Sequence, residues 1–341
     1  WLIMLLNAGL YLAWKTWREP GNMGARFISV TLLVFACWWG YGSVAMNRYT
    51  PNTDKNSSLT VGLIQGNVEQ FMKWNPVYQK LVMSKYRDLT LAAAQSKPQL
   101  IVWPETALPF YYNQHSVGTK FVKDLARQTQ TPILFGSPHK ENRDGRTIHY
   151  NSAYLVSDTG DTQNRYDKIH LVPFGEFVPF RKLLFFVEKM VEMIGDFGRG
   201  KEAILFDVAG YQAGVSICYE IIFFWKLIND ENNNADFIIN LTNDSWFGQL
   251  SGPYQHFYLS RLRAAEFNKP LIRVSNNGIS AAIDNYGNII DYIELNKKEV
   301  KEINIQIPEL KNNFIYYHRF IFYFFILLFL MGLFLNKKND T

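Results

Sequence analysis

Cys218 ends the apolar run Gly214-Val-Ser-Ile-Cys218 and is followed at once by Tyr219 and Glu220, so a strand should deliver a thiol to its own tip. Two other runs end on charge in the same way, Leu100-Ile-Val-Trp-Pro-Glu105 and Arg165-Tyr-Asp-Lys168. A thiol, a carboxylate and an ammonium at strand ends suggest covalent acyl chemistry. A thiol of ordinary pKa, about 8.5, is only a few per cent thiolate at neutral pH, so it needs a carboxylate within reach to take its proton. When sulfur adds to an ester carbonyl, negative charge grows on oxygen, and a fixed ammonium plus a backbone N–H can stabilise it. Glu105 suits the first task, and Lys168 with the Tyr219 amide suits the second. Singly, each residue has an ordinary explanation: a buried free cysteine is most often a small apolar filler, and Glu105 and Lys168 are common turn and surface residues. Three such residues at three strand ends make a site the better explanation.

The 341 residues carry 35 Lys+Arg against 30 Asp+Glu, a formal charge of +5. The basic residues are scattered, without the run that tracks a phosphate backbone, so a nucleic-acid partner is set aside. Two cysteines, Cys37 and Cys218, make a disulfide framework improbable. The six histidines are dispersed without metal-ligand spacing, and neither a metal nor a soluble cofactor is implied.

The elements that must position the site lie between apolar segments. Phe27 to Met46 is free of charge and about the length of one bilayer crossing, roughly 20 residues. Residues 314–335 supply a second span if Arg319 snorkels to the interface. Residues 1–17 are expected to be the end of a severed transmembrane helix, since they lack an initiator Met and a basic leader, which makes the chain an N-terminally truncated fragment. Basic flanks at Lys15, Arg18 and Arg26 and at Lys337 and Lys338 put the loop 18–26 and the tail 336–341 in the cytoplasm. The polar linker 47–58 and a domain over 59–310 then fall on the far side of the membrane.

Within 59–310, short β-rich runs alternate with stretches of helical length, such as Pro76 to Ala94, Val117 to Gln128 and Pro253 to Phe267, and this alternation predicts a layered α/β domain. Gly278 to Asp284 and Asn288 to Glu294 read as a hairpin through Asn285-Tyr-Gly287. No internal repeat is visible. Greasy features crowd the reactive residues. Phe180, Leu183, Leu184, Val187, Val191 and Ile194 share one face at helical spacing, Ile221 to Trp225 follow the thiol, and Trp74 lies in a loop after the first strand. Core packing explains any one of these; between two spans, they are expected to admit acyl chains and shield a thioester from water.

Six ordered signatures carry a family resemblance: Gln65-Gly-Asn67 leading to Lys73-Trp74; Trp103-Pro-Glu105-Thr-Ala; Tyr166-Asp-Lys168-Ile-His-Leu-Val-Pro-Phe-Gly-Glu176; Cys218-Tyr-Glu220; Asn243-Asp-Ser-Trp246-Phe-Gly248; and Ser275-Asn-Asn-Gly278. In this order they resemble the nitrilase superfamily, and with the flanking spans they resemble its membrane-anchored branch, the apolipoprotein N-acyltransferases. The resemblance implies a nitrilase-like four-layer α-β-β-α sandwich flanked by transmembrane helices. It implies Cys218 as nucleophile, Glu105 as general base and Lys168 as third member of a triad. Glu176, Tyr219 and Glu220 match supporting positions required for activity, and Trp246 and Phe247 join Trp74, Leu184 and Val187 as lipid-facing residues. The implied reaction moves an acyl chain from a membrane phospholipid, through a cysteine thioester, to the N-terminal amine of the diacylglyceryl cysteine of an apolipoprotein. The implied location is the bacterial inner membrane, multi-pass, with the catalytic domain extracytoplasmic. The alternatives are a membrane-tethered amidase or nitrilase acting on a small amide, and an inactive lipid-binding fragment.

Overall fold

The computed structural model describes residues 2–18, 23–47, 58–73, 75–143, 145–177, 197–232, 234–308, 320, 322–324, 326 and 327. The chain divides into two compact units, Trp1–Thr53 and Asp54–Thr341.

The first unit is a helical pair, α1 (Leu2–Thr16) and α2 (Met23–Asn47). Small residues let the two backbones approach: a Cβ on Gly9 would strike Thr31, and one on Gly24 would lie 2.7 Å from the Ala13 carbonyl oxygen. That pairing runs antiparallel, and Ala13, Thr16 and Thr31 are buried along it. Most of the remaining surface is apolar and exposed, including Trp14, Trp38 and Trp39. Gly24–Val44 has a mean hydropathy of 1.6 with 6% of it buried, long and apolar enough to cross a membrane. Of the expected second span, only Phe320, 322–324, 326 and 327 are described, and they are helical.

The second unit contains two six-stranded sheets. The first has the order β12-β1-β2-β3-β4-β5, with β1 (Ser58–Gln65), β2 (Leu100–Val102), β3 (Ile133–Arg143), β4 (Arg146–Val156), β5 (Thr162–Asp167) and β12 (Glu299–Gln306). The second has the order β11-β10-β9-β8-β7-β6, with β6 (Leu205–Val208), β7 (Tyr211–Ile217), β8 (Phe237–Thr242), β9 (Leu271–Ser275), β10 (Ser280–Ile283) and β11 (Ile289–Ile293). In each sheet three parallel strands, β1-β2-β3 or β7-β8-β9, are flanked by antiparallel neighbours. The strand pattern of one sheet therefore repeats in the other, although no sequence repeat betrays it.

Alternation along the strands sorts side chains between layers. Leu59, Val61 and Leu63 of β1 and Phe237, Ile239 and Leu241 of β8 point into one core between the sheets. Ile101, Trp103, Ile133 and Phe135 pack on the opposite face with Val82, Tyr86 and Leu89 of α4 (Gln79–Ala93) and Val122 and Leu125 of α5 (Ser116–Thr129). A short helix, α3 (Gln70–Lys73), precedes α4. On the outer face of the second sheet, Ile238 and Ala281 pack with Leu227 of α6 (Phe224–Asn232) and Phe257, Ala264 and Phe267 of α7 (Ser251–Phe267). The result is the expected four-layer α-β-β-α sandwich. The expected hairpin forms as β10–β11; Asp284 Oδ1 accepts from the amides of Tyr286 and Asn288 at 2.9 and 2.8 Å, and Gly287 takes φ +84. Strands β6 and β12 escape the sequence reading because their exposed faces carry polar residues that interrupt the apolar runs, and of β5 only the end that leads to Lys168 is read. The helical face expected over 179–194, with Leu184 and Val187, lies outside the described residues, as does Trp74.

One glycine is required where β3 passes the turn that carries Glu105. A Cβ on Gly136 would lie 2.5 Å from the Thr106 nitrogen and 2.6 Å from Glu105 Cα, while Gly136 itself donates to the Pro104 carbonyl at 3.1 Å. Gly136→Ala is expected to push that turn away, destabilising the domain by about 1–3 kcal/mol as overpacked sites do. Thermal unfolding and the rate of Cys218 acylation check this: unchanged values for both would show that the turn tolerates the methyl group.

Candidate active site

The sandwich brings together three chain segments remote in sequence. Glu105 lies three residues past β2, in a turn where Thr106 takes φ +44; Lys168 directly follows β5; and Cys218 directly follows β7, itself at φ +53. A non-glycine residue at positive φ is held there by its surroundings, and Thr106 and Cys218 are two such positions at this site. The first two segments belong to one sheet and the third to the other, so the site lies where corresponding strand ends of the two sheets meet. Glu105, Lys168 and Cys218 are all buried.

Lys168 is the hub. Its Nζ donates to Glu176 Oε1 at 2.9 Å and lies 3.6 Å from Glu105 Oε1. Asn151, on β4, links the two carboxylates, donating from Nδ2 to Glu105 at 2.7 Å and to Glu176 at 3.0 Å. The other oxygen of Glu176 accepts from the Val172 amide at 2.9 Å. The backbone of Lys168 is held on both sides, its amide by the Asn151 carbonyl and its own carbonyl by the Gly200 amide, each at 2.8 Å. Behind Glu105, Lys73 places its ammonium 3.4 Å from the Glu105 carbonyl and from Thr106 Oγ1.

Burial and charge set the proton affinities. Burial pushes the Cys218 thiol up to about 12, the Glu105 charge adds to this, and Lys168 opposes it. Burial would pull Lys168 down, but Glu105, Cys218 and Glu176 around it outweigh that and raise it, so it stays an ammonium. Glu105 is raised by burial and by Glu176 against the pull of Lys168 and Asn151. Lys73 is lowered by burial to about 8, with Glu105 opposing. A carboxylate of raised pKa is a stronger base, and a thiol this reluctant to ionise must lose its proton as it attacks rather than rest as thiolate.

Glu220 joins the two sheets next to the site. Fully buried, it accepts from the Tyr166 hydroxyl at 2.8 Å, from the amides of Ile169 and His170 just past Lys168 at 2.7 and 2.9 Å, and from the Ile217 amide just before Cys218 at 2.7 Å. One carboxylate thus ties the Lys168 segment to the Cys218 segment. Tyr219 packs edge-on against Phe223, with ring centroids 5.3 Å apart. Trp246 and Phe247 are exposed, and Phe247 packs edge-on against His256 at 5.7 Å.

Several participants were not singled out by sequence. They are Asn151, Lys73, Thr242, whose hydroxyl donates to Asp244 Oδ1 at 3.1 Å, and a buried group of Asn240, Asp244, His256 and Arg273. The one available signal was Arg273, a charge inside the apolar run Leu271-Ile-Arg-Val. Among the described residues no cluster of His, Cys, Asp or Glu could hold a metal ion.

Residues 42–312 match the family model for carbon-nitrogen hydrolases. The chain is 36% identical over 312 residues to a Geobacter metallireducens protein named apolipoprotein N-acyltransferase, covering 90% of this chain and 59% of that protein. It is also 36% identical to a Vibrio cholerae protein of the same name, covering 76% of this chain and 52% of that one. The chain thus spans little more than half the length of the curated relatives it matches. Among solved structures, a carbon-nitrogen hydrolase from Helicobacter pylori superposes with a TM-score of 0.57 at 16% identity, covering 74% of this chain and 90% of that one. Nit3 of Saccharomyces cerevisiae, a member of the nitrilase superfamily, gives 0.56 at 18% identity, covering 73% and 90%. The last two likenesses concern the fold alone; with the family model spanning most of the sequence and the two-sheet sandwich in place, the chain belongs to the carbon-nitrogen hydrolase family.

Proposed function

We propose that this chain carries the catalytic domain of an apolipoprotein N-acyltransferase, with Glu105, Lys168 and Cys218 as its triad. The observation that supports this best is the single ammonium of Lys168, buried within 3.6 Å of Glu105 and sharing a charge environment with the Cys218 thiol. The name of the relatives directs the reaction class, acyl transfer to an amine of an apolipoprotein; the donor we assign is an acyl ester of a membrane phospholipid, and the acceptor the diacylglyceryl cysteine of the apolipoprotein. The apolar helix at Gly24–Val44 fits an enzyme held in the bacterial inner membrane, with residues 18–26 and 336–341 cytoplasmic and 59–310 on the extracytoplasmic side.

In the first step, Glu105 takes the thiol proton as sulfur adds to the ester carbonyl. Lys168 and the Tyr219 amide hold the oxyanion, and collapse expels the lysophospholipid oxygen, which recovers the proton from Glu105. The products are a Cys218 thioester and a lysophospholipid. In the second step the α-amine of the acceptor adds to the thioester carbonyl, giving its surplus proton to Glu105. The tetrahedral adduct then releases sulfur, which regains that proton, and the amide forms. Glu176 holds Lys168 in place, since both of its oxygens are engaged in doing so or in bonding Val172. Glu220 holds the two strand ends in register, and the exposed Trp246 and Phe247 face lipid.

Incubation with phospholipid, followed by intact-mass measurement, is expected to reveal one acyl chain on Cys218, absent in Cys218→Ser; no adduct on the unaltered protein would sink the proposal. Adding a diacylglyceryl-cysteine peptide should then clear the adduct and give acylated peptide, whereas release of free fatty acid alone would mean hydrolysis instead of transfer. Glu105→Gln is expected to slow adduct formation by roughly 10²–10⁴-fold, the usual worth of a general base. Because Glu105 must be ionised to act and its pKa is raised, the acid limb of the acylation rate should lie above the ordinary carboxylate range, with the rate rising as pH increases through it. A limb at or below pH 4 in single-turnover measurements would assign the base elsewhere.

A further inference from the structure

The carbonyl of Cys218 is gripped by two side-chain donors: His256 Nε2 at 3.1 Å and Asn240 Nδ2 at 3.3 Å. A carbonyl only accepts, so Nε2 carries the ring proton at this contact. One buried ion pair aims both donors. Arg273 Nη2 bonds the two oxygens of Asp244 at 2.8 and 3.1 Å, and both side chains are fully buried. Arg273 Nη1 donates to Asn240 Oδ1 at 2.6 Å, which fixes the amide orientation and turns Nδ2 toward Ser216 and Cys218. His256 Nδ1 lies 2.9 Å from Asp244 Oδ1 and 3.2 Å from Arg273 Nη2, so the ring is held from its far side whether or not Nδ1 is protonated.

These hydrogen bonds to Cys218 end on its backbone. The peptide linking it to Tyr219 is trans, so its N–H points opposite to its carbonyl; whatever fixes one fixes the other. At φ +53 the residue occupies a conformation that a side chain disfavours and only its surroundings maintain. We propose that Asp244, Arg273, His256 and Asn240 form a positioning lock that fixes the Cys218–Tyr219 peptide plane, so that the Tyr219 N–H faces the acyl oxyanion. The lock rests on the acyl-thioester reading above and makes the four residues positioning groups, acting through the peptide without touching the acyl chain.

Two reactions of the same sulfur separate this role from simple support. Alkylation by iodoacetamide passes through no oxyanion, whereas acylation by an ester does. Variants of Arg273 or Asp244 strand a buried charge and endanger folding, so His256 is the position to change. The whole chain in detergent micelles, as wild type, His256→Leu and His256→Gln, is treated with iodoacetamide and with p-nitrophenyl butyrate; intact mass reports alkylation and the nitrophenolate burst reports acylation. His256→Leu should slow acylation by about 30-fold or more, somewhat less than deleting an oxyanion donor outright, with alkylation little changed. His256→Gln, whose amide can donate to the same carbonyl, should recover most of the rate. Parallel loss of both reactions in His256→Leu, or no loss of acylation, overturns the lock. If phospholipid fails to acylate the wild type while the nitrophenyl ester still separates the two reactions, the proposed donor is wrong and the lock stands.

Discussion

An isolated ammonium inside a protein costs several kcal/mol, and Lys168 is tolerable only because two carboxylates lie beside it. That constraint organises the rest of the domain. Glu105 has to arrive from β2, Glu176 from the loop beyond β5, and Asn151 from β4, all at one strand end of the first sheet. Gly136 and Gly200 are small where the backbones carrying Glu105 and Lys168 pass closest to their neighbours. Burial, with the Glu176 charge beside it, raises the proton affinity of Glu105 against the pull of Lys168, which makes it a better base than an exposed glutamate.

The second sheet contributes the sulfur, and the joint between the sheets is where accuracy is hardest to keep. Apolar packing in the central core sets the distance between layers but cannot specify position along them, since it has no direction. Hydrogen bonds to Glu220 supply that direction, through four donors from the two sides of the joint. On the far side of Cys218 the Asp244–Arg273 pair plays a matching part within the second sheet. The reactive turn thus stands between two buried anchors, one reaching across the sheets and one reaching up from beneath.

Sequence made two of the strand tips legible because an apolar run that stops at Glu105 or Cys218 is conspicuous in one dimension, whereas the polar strand before Lys168 shows only its end. The parallel strands of both sheets were legible for the same reason, being buried on both faces. Glu220 was legible only as a supporting position implied by the resemblance, and its bridging role was hidden because its partners are mostly backbone amides, which carry no residue signature. Asn151 was invisible, and Lys73 stood in a quoted signature without a role, because a polar residue beside an apolar run is ordinary until its partner is known. Strand β12 went unread because its exposed positions are Glu299, Glu302 and Asn304, and charge on an edge strand discourages pairing with other chains.

That last strand has a temporal consequence. β12 closes the first sheet by pairing Gln306 with Ser58, antiparallel along the whole of β1, so the layer holding Glu105 and Lys168 stays unfinished until nearly the entire domain has left the ribosome. Glu105, Lys168 and Cys218 are synthesised in that order, and the sulfur emerges while its sheet still lacks β8 to β11. A newly made chain therefore carries its thiol before the sheet that holds Glu105 and Lys168 is complete, and that sheet is completed only when the two ends of the domain anneal.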